Sequence, residues 1–537
     1  MIVARDIATV QGLVDGWPTD AAATFVAITL DPPVSGHPSL SPGTRVASIS
    51  LAKHGAAAFT VPLAGPDAAE MGAVTPLFTL LQRERLGAYN VGAVALWLAA
   101  RFGLHRLNWV EDPWIGSRLA GITADDPVAL VARCLGIHGT SPEQEPFVAL
   151  GLASFFEPML RSRFRAYRDD VRTHAAMAEA WVGGAVVVSP LDEMNALAQR
   201  IADVSTEVYK ALGTKPFVIG SSTELVAAFA RVGVYSPFQT PTGKPRWDSE
   251  TLRALQDTHP AVPLVREFRS LAKQLSELRG LHTDGSLGTV APYWEPNSSD
   301  GRSAMTATRP NVVHLSRHAR QFFRAEFRSR WMTLHWPKET SLWWMLGWAA
   351  PALVEDGLRD WESVAAGCGL STDALTAVAI QWVLRPESID ASPWPFDWAD
   401  GVDEAPTPRA VEAALLALRH VWGPVIEAVR SHAVVPVNTV HGVAAVPWGG
   451  DTGSGWRRFI RNIASDQRWL VTKKLILLLW DYQRADRFIP DESALSFTTR
   501  CTAEQIAETL SPFIFPMRPP CAPSLQAGAS WAEARND

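Results

Sequence analysis

A basic segment that leads directly into a short apolar strand is the feature that most constrains this chain. From residue 302 to residue 330 the sequence carries seven arginines and one acidic residue, Glu326. The next residues, up to His335 and Trp336, form a strand-like apolar run. A local positive charge that leads to a buried strand is suited to guiding a polyanion, such as a nucleic acid, to a site in the protein core. The arginines are Arg302, Arg309, Arg317, Arg320, Arg324, Arg328 and Arg330.

Length and net charge narrow the class of protein. At 537 residues the chain is too long for one hydrophobic core, and about two to four domains are expected. A net charge of −6 disfavours a protein that binds nucleic acid over its whole surface. Any polyanion site must therefore depend on locally concentrated positive charge, as in the segment after residue 302.

Cysteines and apolar runs favour a cytoplasmic protein with no membrane partner. The four cysteines are scattered and form no C-x-x-C pair, which argues against a disulfide framework and against a zinc site. The first residues lack the apolar run of a secretory signal. The longest nearly apolar run, residues 342–354, is too short to span a bilayer.

The periodicity of apolar residues predicts a chain of mixed α and β structure. Residues 25–65 alternate apolar and small polar side chains, as strands do, and helical patterns follow as far as residue 145. Long amphipathic helices between residues 147 and 278 favour a helical arm. The tail from residue 518 is rich in proline and small polar residues, so we expect it to be disordered. Further helical patterns cover residues 345–420 and 456–484, and a hairpin pattern covers residues 488–500.

Several strings, taken in order, resemble those of the A-family (polymerase-I-like) DNA polymerases. Residues 177–201 are similar to the helix–turn–helix that enters the thumb of that family, and residues 239–281 are similar to its thumb segment. Residues 301–317 resemble the family string T-G-R-L-S-S-x-x-P-N-L-Q-N-I-P-x-R. The residues that match the last string are Gly301, Arg302, Pro310, Asn311 and Arg317.

The resemblance implies an α/β and α+β multidomain fold. An exonuclease-like (RNase H-like) N-terminal domain would be followed by a right hand with thumb, palm and fingers. The implied parts are an exonuclease-like domain at 1–145, a thumb at 146–300, a palm at 301–345 and 425–517, fingers at 346–424, and the disordered tail at 518–537.

The resemblance also implies residues that bind DNA. Arg302 corresponds to an arginine that contacts the primer–template duplex near its end, and Asn311 and Arg317 belong to the same string. Arg269 and Lys273 lie where the thumb helix of the family faces DNA. A second basic cluster opens the helix predicted after residue 456, and it either contacts the DNA backbone or forms a solvated surface. This cluster contains Arg457, Arg458, Arg461, Arg468, Lys473 and Lys474.

The palm departs from the family at the residues that should hold metal. Family members need two carboxylates for two Mg²⁺ ions, which activate the 3′-hydroxyl and neutralise the departing pyrophosphate. His335 stands at the position of the first carboxylate, and imidazole is a poor ligand for Mg²⁺. Asp491 and Glu492 fit the hairpin that carries the second carboxylate, so with His335 they are vestigial catalytic candidates. We expect no metal site and no cofactor, and Mg²⁺ only if the chain is an active polymerase.

The predicted fingers and exonuclease-like domain also lack functional residues of the family. The helical segment 372–386 should carry the Arg and Lys that bind the incoming triphosphate, but it has no cation before Arg385. In the N-terminal domain, Asn90 matches the family string but Val94 replaces its Asp. Phe147 and Gly151 stand at the positions of the later Tyr and Asp.

For two other features a structural role is favoured over a functional one. The cluster of Trp336, Trp343, Trp344 and Trp348 is expected to be core rather than a platform for base stacking. His314 and His318 are spaced four apart but have no third ligand in view, which favours a surface pair over a metal site.

The sequence thus predicts a catalytically inactive A-family polymerase homologue that binds DNA, as primer–template or single strand, in replication or repair. Other replication proteins are candidate partners. One alternative is an active, divergent polymerase in which Glu339 or Asp356 supplies the missing carboxylate. The other alternative is a protein-interaction scaffold without DNA binding, which the net negative charge would suit.

Overall fold

The computed structural model covers the chain with gaps, and some predicted residues fall in the gaps. Arg302, Glu339, Trp348, Asp491 and Glu492 lie outside the described residues. The described residues are 2–34, 43–65, 68–69, 71–122, 126–161, 164–239, 243–281, 287–296, 305–308, 311–337, 340–346, 351–384, 407–433, 453–490, 494–514 and 523–535.

A mixed sheet of six strands organises the N-terminal part, in the order β1-β4-β3-β2-β5-β6. Strands β2, β3 and β4 form an antiparallel meander, and β5 and β6 continue the sheet parallel to β2. The predicted strands of residues 25–65 are therefore confirmed. The elements are β1 (Ile2–Val3), α1 (Ile7–Asp15), β2 (Thr24–Asp31), β3 (Arg45–Ala52), β4 (Phe59–Pro62), α2 (Val74–Arg83), β5 (Arg85–Gly87), α3 (Val91–Phe102), β6 (Asn108–Glu111), α4 (Pro113–Leu119), α5 (Pro127–Leu135), α6 (Pro146–Leu160) and α7 (Phe164–Ala180).

The core of this domain extends past the predicted boundary at residue 145. Leu152 and Phe156 of α6, with Tyr167, Val171 and Ala175 of α7, are buried together with the strands of the sheet. From Ala176 onward, α7 contributes to a different core. Helix α6 and the first two thirds of α7 thus complete the N-terminal core, beyond the boundary that the sequence predicts.

Two long helices, α8 and α11, pack along each other and form the arm predicted for the middle of the chain. Val204 and Val208 of α8 share a buried cluster with Val262 and Val265 of α11. The elements of this part are β7 (Ala185–Val188), α8 (Leu191–Leu212), α9 (Ser222–Arg231), α10 (Ser249–Ala254), α11 (Ala261–Leu281), β8 (Leu287–Val290), β9 (Tyr293–Pro296) and β10 (Met305–Thr308).

An antiparallel sheet in the order β13-β14-β12-β15 forms the palm-like part, and a helical part lies beside it. The long helix α18 packs against both: Ile460 lies in the core of the helical part, and Leu475 in that of the palm. The elements are α12 (Arg317–Arg320), β11 (Phe323–Arg324), β12 (Arg330–His335), α13 (Thr340–Leu346), α14 (Pro351–Arg359), α15 (Trp361–Gly367), α16 (Thr372–Leu384), α17 (Pro408–Ala433), α18 (Gly453–Asp481), β13 (Asp486–Pro490), β14 (Ala494–Thr499), α19 (Ala503–Ile514), β15 (Ser524–Gly528) and α20 (Trp531–Arg535).

The prediction of a disordered tail at 518–537 is wrong for residues 523–535. Strand β15 pairs with β12 along its length, and Trp531 of α20 is fully buried. The indole nitrogen of Trp531 donates a hydrogen bond to Ser496 Oγ (2.9 Å). The local composition of this segment favours disorder. It is ordered because β15 pairs with a distant strand and because one large ring is buried.

No single helix within the described ranges has the length and apolar character to cross a membrane. One pair, α15 with α16, bent by 94°, would meet the requirement by length and composition alone.

Candidate nucleic-acid interface

Strand β12 lies between β14 and β15, and His335 is its last residue. His335 pairs with Ala494 on one side and with Ser524 on the other. Side chains alternate along a strand, so Trp331, Thr333 and His335 share one face of the sheet. That face is covered by α20.

Contacts with α20 hold this face together. Trp331 stacks on Trp531 with ring centroids 5.8 Å apart, and the Thr333 and Ser496 hydroxyls lie 3.0 Å apart. His335 Nε2 lies 3.5 Å from the carbonyl oxygen of Ala534. The side chain of His335 is half-buried under a helix.

The tryptophans next to the strand belong to the core, as predicted. Trp336 and Trp344 are buried and meet edge to face, with ring centroids 5.5 Å apart. Trp343 is partly buried against the same cluster. These rings fill volume beside the end of β12.

The hairpin predicted for residues 488–500 is present as β13 and β14. Pro490 pairs with Leu495, and Ala494 pairs with His335. Both strand ends, Pro490 and Ala494, therefore lie at the end of the sheet that His335 occupies. Over the described ranges, no group of three or more His, Cys, Asp or Glu residues could hold a metal ion.

The alternative carboxylate Asp356 lies on the surface of α14. Its side chain is 64% exposed and forms an ion pair with Arg359 one turn away (3.1 Å). In the fingers-like part, α16 (Thr372–Leu384) contains no Arg or Lys, and its buried residues include Leu375, Val378 and Trp382. This helix is an apolar core element and offers no cation to a triphosphate.

Lys273 and Arg317 come together through Glu277. The Lys273 side chain is 70% exposed, and its Nζ lies 3.8 Å from the Glu277 carboxylate one turn along α11. The same carboxylate accepts hydrogen bonds from the backbone N–H and the hydroxyl of Ser316 (3.0 and 2.5 Å). Ser316 precedes the exposed Arg317, so two of the predicted DNA-binding residues share one surface.

Helix α12 is also anchored to the other long helix of the arm. His318 Nε2 lies 3.1 Å from the Glu193 carboxylate on α8. His318, which the sequence predicts as a surface residue, thus forms a contact between helices. Asn311 is exposed on the segment that leads to α12. These contacts place α12 against both α8 and α11.

Arg269 has a structural partner in the arm. Its guanidinium donates a hydrogen bond to the carbonyl oxygen of Trp247, and the side chain is half-buried. Burial lowers the pKa of Arg269, while the nearby Asp248 opposes that shift. Arg269 therefore braces the arm, and its DNA contact remains a prediction.

The residues of the second basic cluster differ in their exposure along α18. Arg461 is exposed, and Arg457 and Arg458 belong to the first turns of the helix, but their side chains lie outside the described residues. Lys473 is fully buried and pairs with Asp170 of α7 (2.7 Å). Lys473 is therefore a core ion pair and cannot contact DNA.

A buried polar cluster in the N-terminal domain was not singled out by the sequence. Asp112 accepts hydrogen bonds from the backbone N–H groups of Asn90 (3.1 Å) and Val91 (2.8 Å). His174 Nδ1 lies 3.6 Å from the Asp112 carboxylate, and His174 Nε2 lies 3.2 Å from the carbonyl oxygen of Trp294. A carbonyl only accepts, so Nε2 of His174 carries the hydrogen. The cluster joins the N-terminal domain to β9.

The expected exonuclease positions show no catalytic grouping in this part of the structure. The side chain of Asn90 accepts a hydrogen bond from Ala93 N (3.2 Å) and caps α3, and Val94 is buried. Phe147 is 48% exposed on α6. Gly151 lies against Leu135.

Comparisons with known proteins find a shared fold. No protein-family model matches the sequence, and no curated protein matches it. A solved structure that matches is the POL domain of Pol1 from M. smegmatis in complex with DNA primer–template and dNTP. It is 15% identical to this chain, covers 100% of both chains and has a TM-score of 0.76. The chain therefore has an A-family polymerase-like fold, as the sequence predicts.

Proposed function

We propose that this protein binds DNA through a polymerase-like right hand and does not catalyse nucleotidyl transfer. One observation carries the proposal: His335 ends the central palm strand, under α20, where the family resemblance expects a metal-binding carboxylate. Imidazole does not replace a hard oxygen ligand for Mg²⁺. We further propose that the protein acts in the cytoplasm, in DNA replication or repair, as a subunit that binds DNA or replication proteins without a cofactor.

The arm supports the DNA-binding half of the proposal. Lys273 and Arg317 form a positive surface that Glu277 and Ser316 hold in place. The similar Pol1 structure was solved with primer–template DNA. Arg302, Asn311, Arg457, Arg458 and Arg461 extend the proposed interface.

We also propose that the N-terminal domain is a degenerate exonuclease-like (RNase H-like) domain. Its sheet combines an antiparallel meander with three strands, β1, β5 and β6, that pair in parallel, and it is flanked by helices. Apolar residues stand at the positions where the family carries catalytic acids. This domain then has a structural role.

Primer extension tests the missing activity. With Mg²⁺ or Mn²⁺ and all four dNTPs, we expect no extension above a no-protein control. Efficient incorporation that Asp491→Ala abolishes would overturn the proposal and establish the active, divergent polymerase. The exposed, ion-paired position of Asp356 does not favour that alternative.

DNA binding is tested separately by fluorescence anisotropy. We expect binding to labelled primer–template that weakens as salt increases, because cationic side chains release counterions from the phosphates. An absence of binding at low salt would leave the protein-interaction scaffold as the better function.

A further inference from the structure

A cavity of about 190 Å³ lies between the N-terminal domain and the palm. Its walls come from residues 106–109 before and within β6, from α7, and from the end of α18. The polar residues that line it include Arg106, Arg172, Glu179 and Asp481, and Trp480 lies beside them. None of these residues belongs to the proposed DNA interface.

The backbone of Arg106 is held in an unusual conformation. Its φ of 59° is in the left-handed region, which is uncommon for residues other than glycine. The Arg106 N–H donates a hydrogen bond to Glu179 Oε2 (2.7 Å), and Glu179 is only 4% exposed. Backbone strain of this kind persists where the surroundings fix it, and it often marks a ligand site.

The guanidinium of Arg106 is fixed in place and attracts the nearby carboxylates of Glu179 and Asp486 without pairing directly with either. It lies over the ring of Trp480, 4.5 Å from the ring centroid. Its side chain forms no hydrogen bond or ion pair with any residue that the structure describes. All five of its N–H donors are therefore available to a ligand.

A second guanidinium stands in the same wall. Arg172 uses Nη2 to bind both oxygens of Asp481 (3.0 and 2.8 Å). Its side chain is 41% exposed, so its other N–H groups remain accessible. Two arginines that share one small cavity match the geometry of a phosphate, which accepts several charge-assisted hydrogen bonds.

The cavity and His335 lie toward opposite ends of β13. Burial raises the pKa of Asp486, and the charges of Arg487 and Arg106 oppose that rise, which places Arg106 near the start of β13. Strand β13 then runs about 13 Å to Pro490, beside the end of β12. A ligand in the cavity would not compete with DNA at the palm.

We propose that this cavity binds a phosphate group, supplied as inorganic phosphate or by a small 5′-mononucleotide. Arg106 and Arg172 bind the phosphate oxygens. Glu179 is a positioning residue that holds the backbone of Arg106, and Trp480 supports the guanidinium. The cavity is too small for a polymer, and its walls join the N-terminal domain to the palm.

Isothermal titration calorimetry with the full chain tests the site, first with inorganic phosphate and then with dAMP. We expect binding of phosphate that Arg106→Gln or Arg172→Gln weakens by at least about tenfold, since each removes charged hydrogen bonds. Arg106→Lys keeps the charge but loses the fork, so it should also weaken binding. Tighter binding of dAMP than of phosphate identifies a nucleotide ligand, and binding of phosphate alone identifies the free ion.

Arg328→Gln is the matched control. Arg328 also has a left-handed backbone (φ 63°) and lies over an aromatic ring, Phe327, at 5.1 Å, but it does not line this cavity. This variant should bind phosphate as the parent protein does. Trp480→Leu, which removes the support under Arg106, replaces Arg106→Gln if that variant fails to fold. No binding by the parent, or an equal loss in Arg328→Gln, overturns the proposal.

Discussion

Lys473 and Asp170 lie 303 positions apart in the sequence and form an ion pair with almost no contact with solvent. Nothing in the local sequence distinguishes Lys473 from the neighbouring basic residues of α18. A few turns earlier on the same helix, Arg461 is exposed. At the scale of the residue, the fold determines which charged side chains face solvent. Ion pairs between residues far apart in the sequence cannot be predicted from the local spacing of charges.

Breaking the buried pair should destabilise the protein strongly. Lys473→Met removes the buried cation that pairs with Asp170, and we expect a loss of about 3–5 kcal/mol in the free energy of unfolding. Arg172→Ala is the control, because it breaks the exposed Arg172–Asp481 pair between the same two helices and should cost about 1 kcal/mol or less. Urea unfolding followed by tryptophan fluorescence measures both. Similar losses in the two variants would contradict the argument.

Glu179 should make stability depend on pH. Burial raises its pKa from 4.5 to about 7, so the folded protein holds a proton that the unfolded chain releases above pH 4.5. The contribution is therefore most favourable below pH 4.5 and is lost as the pH rises to about 7, by about 3 kcal/mol. Glu179→Gln should be less pH-dependent than the parent over this range. The exposed Glu508→Gln serves as control, and parallel curves for Glu179→Gln and the parent would refute the prediction.

At the scale of the element, local pattern predicts some structures well and others not at all. The helical patterns predicted before residue 145 are present, among them α3 (Val91–Phe102) and α5 (Pro127–Leu135), because both have capped ends and apolar periodicity. The hairpin of β13 and β14 is also confirmed. The tail was misjudged, because β15 and α20 are stabilised by pairing with β12 and by Trp531. Such distant partners leave no mark in the composition of the tail.

Helix α20 should be essential to the palm. Trp531→Ala removes the stack on Trp331 and the hydrogen bond to Ser496, and we expect a cost of about 3–5 kcal/mol. Tyr482→Ala, an aromatic truncation at a side chain that is 64% exposed, should cost less than about 1 kcal/mol. Thermal unfolding followed by circular dichroism compares them. Equal melting temperatures for Trp531→Ala and the parent would show that the tail does not stabilise the palm.

At the scale of the whole molecule, an acidic chain is proposed to bind a polyanion with one local surface. The order of motifs in the sequence was sufficient to predict the polymerase-like fold, because several strings matched together. The site was less predictable. The link from Lys273 through Glu277 and Ser316 to Arg317 joins residues about forty positions apart, and only the folded arm brings them together.

Removing charges from this surface should weaken DNA binding uniformly across sequences. Lys273→Ala and Arg317→Ala should each lower affinity for primer–template and reduce the slope of log affinity against log salt by roughly one unit. Arg45→Ala removes an arginine that is 60% exposed on β3 and should change neither quantity. Anisotropy titrations at several salt concentrations give both values. Unchanged slopes for the arm variants would place the DNA elsewhere.

The passage of α7 from one core to another has a mechanical consequence. Tyr167 and Val171 are embedded in the N-terminal domain, and Met177 in the palm, along one uninterrupted helix. A helix has no hinge within its hydrogen-bonded turns, so swivelling one half against the other would require bending a rod of about 25 Å. The N-terminal domain is therefore held rigidly against the palm and is not joined to it by a flexible linker. A truncation at the border between the two domains would therefore cut through α7, whose residues contribute to both hydrophobic cores.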